Sequence, residues 1–248
     1  WINNTYMTNA VNACKANGVK TLIALGGANG FDTSGNPFST SAKRAHIINY
    51  LVNFINQYDL DGVDVDIEIN STDPIWNYFD TFISELRTAL GNDKLITMAV
   101  GEWFTGAIQN TTFRRLDFLN VMAYDYAFGN GAVAPYDQCT AMMGRYADKM
   151  GDASKVVYGI PFYGYSAGGV TRDWSEIISL SIDNLNRDYD PIHGIYFNGV
   201  PTILQKIEKS KEFGGIMIWQ LAEDDFGSNS MLKVVKDNIG NTQPIVAT

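Results

Sequence analysis

A chain of 248 residues with 46% hydrophobic and 18% charged residues has the composition of a globular protein, with room for one large α/β domain or two small ones. Its net charge of −9 argues against nucleic acid and anionic membranes as partners and leaves a neutral polymer open. No run of about 18 apolar residues is present to span a membrane. No signal-peptide pattern is legible. Two cysteines, Cys14 and Cys139, are too few for a disulfide framework.

In chain order, residues 6–16 predict a helix stopped by Asn17-Gly18. Residues 20–25 predict a short apolar strand ending at Gly26-Gly27. The stretch to Phe38, rich in Gly, Asn, Ser and Pro, predicts a loop. Ser39, Thr40 or Ser41 is placed to cap a helix whose Ile47, Ile48, Leu51, Val52 and Ile55 keep helical spacing. An acidic strand follows at 61–69. Asp73-Pro74 then opens a helix with proline at its first position. Ile75, Tyr78, Phe79, Phe82, Ile83, Leu86 and Leu90 form its apolar stripe, and Gly91 ends it. Residues 95–100 and 118–124 predict two strands, joined by a polar loop at 101–112 that carries Trp103 and Phe104. A helix over 137–150 ends at Gly151, and a strand runs over 156–162. Residues 163–199 are mixed, with a short helix over 173–185. Pro201 starts a helix with Ile203, Leu204 and Ile207 on one face. Residues 214–221 form a sixth strand, and Ser228 or Ser230 caps a last helix ending at Gly240. Strands alternating with helices imply right-handed βαβ units and a parallel sheet. Short linkers and the lack of a repeat point to a single domain over residues 1–248.

The stretch DGVDVDIE, residues 61–68, stands apart. Val63, Val65, Ile67 and Ile69 alternate with acids, as strand residues do. Side chains along a strand alternate between faces, so Asp64, Asp66 and Glu68 share one of them. At roughly 3.3 Å per residue, these carboxyls follow one another at about 7 Å. Three carboxyls so close repel when all are charged, so at least one pKa is expected to rise, which costs stability and serves proton transfer. Two other readings fit the residue types. One is a solvated acidic edge strand, which the apolar neighbours argue against. The other is a magnesium or calcium site of three oxygen donors. No DxDxDG-type loop and no neighbouring histidine accompany it, so no metal is expected.

The stretch resembles the DGxDxDxE signature of glycoside hydrolase family 18, the chitinase family. NVMAYD (120–125), YGIPFYG (158–164) and GGIMIWQL (214–221) follow in the family's order, and ALGG (24–27) resembles its SxGG. The resemblance covers most of the chain. It implies an α/β fold of the TIM type, a (β/α)8 barrel with its chemistry at the C-terminal ends of the strands. The six predicted strands match the family's third to eighth. It implies no cofactor, and as partner an oligo- or polysaccharide containing N-acetylglucosamine. It also implies a secreted, periplasmic or cell-surface location. On such a barrel Cys14 and Cys139 fall on well-separated helices, beyond the roughly 7 Å that a disulfide can bridge.

The family's hydrolysis is substrate-assisted. Carried onto this chain, the resemblance makes Glu68 the general acid and afterwards the base for water. The nucleophile is the carbonyl oxygen of the substrate's own 2-acetamido group, so configuration is retained. Asp66 accepts a hydrogen bond from the acetamido N–H, and Asp64, deeper, shares a proton with Asp66. Asp61 is out of phase with the ladder and reads as structural. Tyr124 donates to the acetamido oxygen, Asp125 contacts the sugar, and Trp219 forms an apolar floor. Met122 and Tyr163 belong to the same surface. Trp103, with Trp76, Phe104 and Tyr126, is a candidate to stack on outer sugars, and ordinary packing fits each of them at least as well. By spacing alone Tyr124 and Trp219 read as packed core, and only their place in the ordered motifs selects them; Met122, on the face of Tyr124, reads more often as core filler than as a ligand contact. His46 and His193 have no Ser, Cys or Asp at a telling spacing and read as structural.

The chain departs from the family pattern in places. Ala24 replaces the SxGG serine and removes a hydrogen bond to Asp64. Ile67 stands where the motif has Trp, Ile69-Asn70 where Tyr-Pro is common, and Tyr165 where Arg is common. About fifty residues separate the last two strands, too few for the full α+β insertion that deepens some chitinase clefts. A shallow cleft suits hydrolysis of chitooligosaccharides or of the chitobiose core of N-glycans. An inactive, lectin-like sugar binder is the alternative, against which Glu68 stands.

Overall fold

The computed structural model describes residues 4–28, 30–104, 106–127 and 131–240, without the Phe104 side chain. The chain divides into two compact units, the first running to Leu119 and the second from Asn120.

The first unit alternates helix and strand: α1 (Asn4–Ala16), β1 (Leu22–Gly26), α2 (Ser41–Tyr58), β2 (Gly62–Asp66), α3 (Trp76–Leu90), β3 (Leu95–Val100) and the short α4 (Asn110–Phe113). β4 (Phe118–Val121) crosses the boundary between the units. Thr40 is the cap of α2, its side chain accepting from Lys43 N. α3 begins two residues later than Pro74 suggested, because Asp73 Oδ1 takes the Ile75 N–H at 2.9 Å and holds this segment as a turn. Of its stripe, Ile75, Phe79, Phe82, Ile83 and Leu86 are buried as the spacing predicts, while Tyr78 is exposed and Leu90 half-buried, and Gly91 closes the helix.

β1, β2 and β3 pair in parallel, with Ala24 beside Asp64 and Asp64 beside Thr97. Val63, Val65 and Ile67 are fully buried, and α2 packs on β2. The alternation in the sequence therefore sets which face is apolar. Gly26 is the close-approach point between β1 and β2. Its φ is 114°, and a Cβ there would lie 2.0 Å from the Asp66 carbonyl oxygen. Only glycine fits.

Two arginines brace this unit. Arg44 on α2 grips Glu85 on α3 through two hydrogen bonds of 2.8 Å and donates a third to Phe38 O. That bond fixes Phe38 against Phe82, ring centroids 4.1 Å apart. Arg87 donates to Asp117 Oδ2 at 2.6 Å, and the same oxygen accepts Ile96 N, tying α3 to the start of β3.

The second unit contains α5 (Tyr136–Met150), β5 (Val156–Pro161), β6 (Tyr163–Ser166), β7 (Val170–Asp173), α6 (Trp174–Leu180), β8 (Tyr189–Asp190), β9 (Ile195–Tyr196), α7 (Val200–Ser210), β10 (Gly215–Trp219) and α8 (Met231–Asn238). β5 and β10 pair in parallel. The span between them holds a second sheet, antiparallel, in the order β7-β6-β9-β8.

That sheet is what the mixed reading of 163–199 missed. β8 and β9 are two residues each, too short to show a period of two, and the β6–β7 turn runs through Gly168 and Gly169 at positive φ. The helix expected over 173–185 is α6 followed, after Ser181, by a 3₁₀ turn at Ile182–Asn186. Asp190 ties the segment together. Its buried carboxylate accepts from Asn184, from the backbone of Ile192 and His193, and contacts His193 Nδ1 at 2.9 Å. Burial works to raise its pKa, but the hydrogen bonds from His193 and Asn184 prevail and hold it far below the usual range. His193 thus has an acidic partner that its sequence context did not signal.

On α7, Ile203 and Ile207 are buried while Leu204 stays partly exposed. Lys206, wholly buried, donates to Ala134 O and Asn198 Oδ1 at 2.8 Å each. Cys139, beside it on α5, donates to Ala123 O at 2.9 Å. Both thiols, Cys14 and Cys139, are free.

Candidate active site

In the first unit the acidic ladder starts on β2 and runs past its end. The strand closes at Asp66, so Glu68, half-buried, stands two residues beyond the regular pairing rather than on it. Asp64 accepts a short hydrogen bond from Thr97 Oγ1, its register partner on β3. Ala24, its register partner on β1, has no hydroxyl to offer. The donor that Ala24 lacks is thus matched by one from the other side, which sequence reading missed. A motif scan sees residues along one strand, whereas Thr97 is reached only across a pair.

Asp66 is the unusual member. Its pKa is raised to about 6, first by burial and then by the negative charge of Asp64. Its Oδ1 is buried and has no hydrogen-bond partner among the described residues. Buried polar atoms nearly always have partners, which sets this one apart. Asp61 differs. Lys20 Nζ and Thr21 N each donate to it at 2.8 Å, and although burial works to raise its pKa, these contacts hold it low. It anchors the start of β2, as its phase suggested.

The second unit carries a cluster of phenols. β4 ends at Val121, so Tyr124 and Asp125 lie on the loop after it, not on the strand. Cys139 holds Ala123 O behind them. Tyr124 is buried, its hydroxyl 3.9 Å from Met217 Sδ on β10. Gly159 on β5 makes the room: a Cβ there would meet Val121 O at 2.2 Å, Met217 Cε at 2.9 Å and the Tyr124 ring at 3.1 Å. Asp125 has φ 63°, a left-handed conformation that Asp adopts more readily than most residues. Tyr163 Oη donates to its Oδ1 at 2.6 Å, and Tyr165 Oη donates to the same oxygen at 2.9 Å. Tyr163 packs edge-on against both Tyr124 and Tyr165. Burial pushes the Asp125 pKa up, and the two phenols offset part of that. Tyr163 and Tyr124 are therefore brought to Asp125's neighbourhood as a set, joined by Tyr165 and Met217, which sequence reading did not select as ligand groups. Tyr165 was legible in principle, since it shares the face of Tyr163 with a spacing of two.

The remaining candidates separate. Trp219, last residue of β10, is 51% exposed, so this unit does not use it as core. Met122 is buried. Trp103 is 44% exposed on a 3₁₀ turn at Glu102–Phe104, its ring over Gly101. Trp76 is packed, donating to Asn70 O and set edge-on to Phe79. Tyr126 ties its hydroxyl to Gln138 O on α5. Neither Trp76 nor Tyr126 is presented as a free platform. His46 is exposed on α2. Among the described residues no group of three or more His, Cys, Asp or Glu side chains is arranged to hold a metal ion.

A sequence profile described as "Glycosyl hydrolases family 18" matches residues 3–224. The chain belongs to glycosyl hydrolase family 18. Among curated relatives, Endochitinase 1 of Metarhizium anisopliae is 25% identical over 285 aligned residues, covering 91% of this chain and 67% of that protein. Chitinase A1 of Niallia circulans is 28% identical over 195, covering 62% of this chain and 28% of its own length. The chain thus spans about two thirds of the first relative and under a third of the second. The crystal structure of the GH18 chitinase ChiB from the chitin utilization locus of Flavobacterium johnsoniae superposes with a TM-score of 0.84 at 27% identity, covering 94% of this chain and 79% of that one. The fold is that of the family 18 barrel, with parallel strands alternating with helices. No described helix is long and apolar enough to cross a membrane.

Proposed function

We propose that the protein is a retaining, substrate-assisted hydrolase of β-1,4-linked N-acetylglucosamine in chitooligosaccharides. The observation that carries this reading is the Asp66 carboxyl: buried beside Asp64, with Oδ1 unpartnered among the described residues, two residues before Glu68. An unmet buried acceptor costs about 1–3 kcal/mol, and an acetamido N–H is the donor that would meet it.

In this scheme the acetamido carbonyl oxygen attacks the anomeric carbon while Glu68 protonates the departing glycosidic oxygen. The oxazolinium ion so formed is steadied by the Asp66 carboxylate. Glu68, now a carboxylate, takes a proton from water as it opens the ring, and two displacements leave the configuration retained. Asp64, held by Thr97, shares the proton economy of Asp66. Tyr124 is assigned to the acetamido oxygen and Asp125 to a sugar hydroxyl. Trp219, Met122 and Tyr163 supply apolar and aromatic surface, and Trp103 an outer stacking contact. Relatives that carry the name chitinase support chitooligosaccharides over the N-glycan core. A polymeric substrate of this kind favours a secreted, periplasmic or cell-surface enzyme, which activity measured in culture fluid, periplasm and cytosol would test.

The deciding experiment is a product assay on chitohexaose and on a high-mannose glycopeptide side by side. Chitohexaose should be cut, with the β-anomer formed first, and a thiazoline mimic of the oxazolinium should inhibit. Comparable turnover of a simple β-glucoside would exclude the mechanism. Binding of chitohexaose without hydrolysis would select the lectin-like alternative.

A further inference from the structure

Among the described residues, Asp125 is held by neutral donors only. Tyr163 and Tyr165, two residues apart on one face of β6, both donate to Oδ1, at 2.6 and 2.9 Å. Burial and the nearby Asp125 charge push both phenols up, so each remains a donor across the working pH range. Among the described residues no lysine, arginine or histidine pairs with Asp125, and no donor reaches Oδ2. Glu223, itself acidic, feels the Asp125 charge and acts on Tyr165. The backbone at Asp125 is left-handed, a conformation kept where the surroundings over-determine it.

The geometry points to Tyr165 as a positioning and specificity-determining residue. Together with Tyr163 it locks Oδ1 of Asp125 and leaves Oδ2 as an un-neutralised acceptor for a hydroxyl of the bound sugar. The choice of a phenol matters. A guanidinium at this position would grip both carboxylate oxygens as a fork and cancel their charge. A phenol takes one oxygen, leaves the charge, and fixes the side-chain rotation. A neutral hydroxyl then meets a full-strength charged acceptor, held in place before the sugar arrives. This inference rests on the assignment of Asp125 as a sugar contact.

A double-mutant cycle tests it, read by calorimetric binding of chitotetraose and by KM. Tyr165→Phe keeps the ring and removes the donor, and should raise Kd and KM roughly three- to thirtyfold with a smaller fall in kcat. Tyr163→Phe, which removes the shorter bond, should lose at least as much and serves as the second variant if Tyr165→Phe folds poorly. In an Asp125→Asn background, where the charged acceptor is already gone, Tyr165→Phe should change Kd by less than about twofold. Unchanged binding in Tyr165→Phe, or an equal loss in the Asn background, overturns the inference while leaving hydrolysis by the wild type intact. A wild type that binds chitotetraose but does not cut it fails the hydrolase reading alone, and the binding cycle still decides the role of Tyr165. A wild type that does not bind it at all overturns both.

Discussion

Thr97 Oγ1 donates to Asp64 Oδ1 from the register position directly across β2–β3, so the first carboxyl of the ladder is oriented by a neighbouring strand. Thr97→Val keeps the shape of this fully buried side chain and removes the donor. A hydrogen bond to a charged group contributes about 1.5–3 kcal/mol, so kcat/KM on a chromogenic chitooligosaccharide should fall roughly ten- to a hundredfold. Ala24 flanks Asp64 on the other side. Ala24→Ser should therefore recover part of the loss in Thr97→Val, and complete indifference to the pair would place Asp64 outside the proton economy proposed for Asp66.

Glu68 has one job that no other residue in the scheme can take. Glu68→Gln retains size and hydrogen bonding and cannot deliver a proton. Turnover should drop by at least about 10²–10⁴ while chitotetraose affinity stays within a few-fold. Steady-state rates and calorimetry on the same preparation check both halves, and an unchanged rate removes the mechanism.

Asp66 ties function to stability through pH. Its carboxyl is raised from 3.8 to about 6 in the folded protein, by burial and by Asp64. Between those values the folded state holds a proton that the unfolded state has lost, so the Asp66 contribution to stability falls as pH rises through this window. Below about pH 4 the penalty is absent; above about pH 6 it is complete. Asp66→Asn should therefore melt higher than wild type at pH 7, with the two converging near pH 4, and should be nearly inactive at both. A variant that is destabilised at pH 7 would mean the Asp66 charge is compensated.

Gly26 and Gly18 both have positive φ, and space separates them. A Cβ at Gly26 would strike the Asp66 carbonyl oxygen, whereas nothing lies within 4 Å of one at Gly18. Gly18→Ala should cost about 1 kcal/mol, the backbone penalty alone. Gly26→Ala should cost several times that and displace the end of β2, with activity lost along with melting temperature. Equal losses in thermal melts would show that β1 and β2 can part without harm.

The sequence by itself determined the longer elements of the first unit and their apolar faces, though not the short α4, which begins in a stretch that reads as loop. The alternation of Val63, Val65 and Ile67 dictates which side of β2 is buried, and the stripe through Phe79, Phe82 and Leu86 does the same for α3, because period follows from backbone geometry alone. It also determined the family, since the acidic signature and three later motifs keep their order along the chain. What the tertiary structure decided are contacts made across elements. Thr97 reaches Asp64 only once β3 is in register, and Tyr165 reaches Asp125 only once β6 faces the loop after β4. That sheet itself was illegible, because strands of two residues carry no periodicity and are stabilised by pairing rather than by local preference. Charge followed the same division: the sequence places three acids on one face, and burial decides that Asp66 holds its proton to about pH 6.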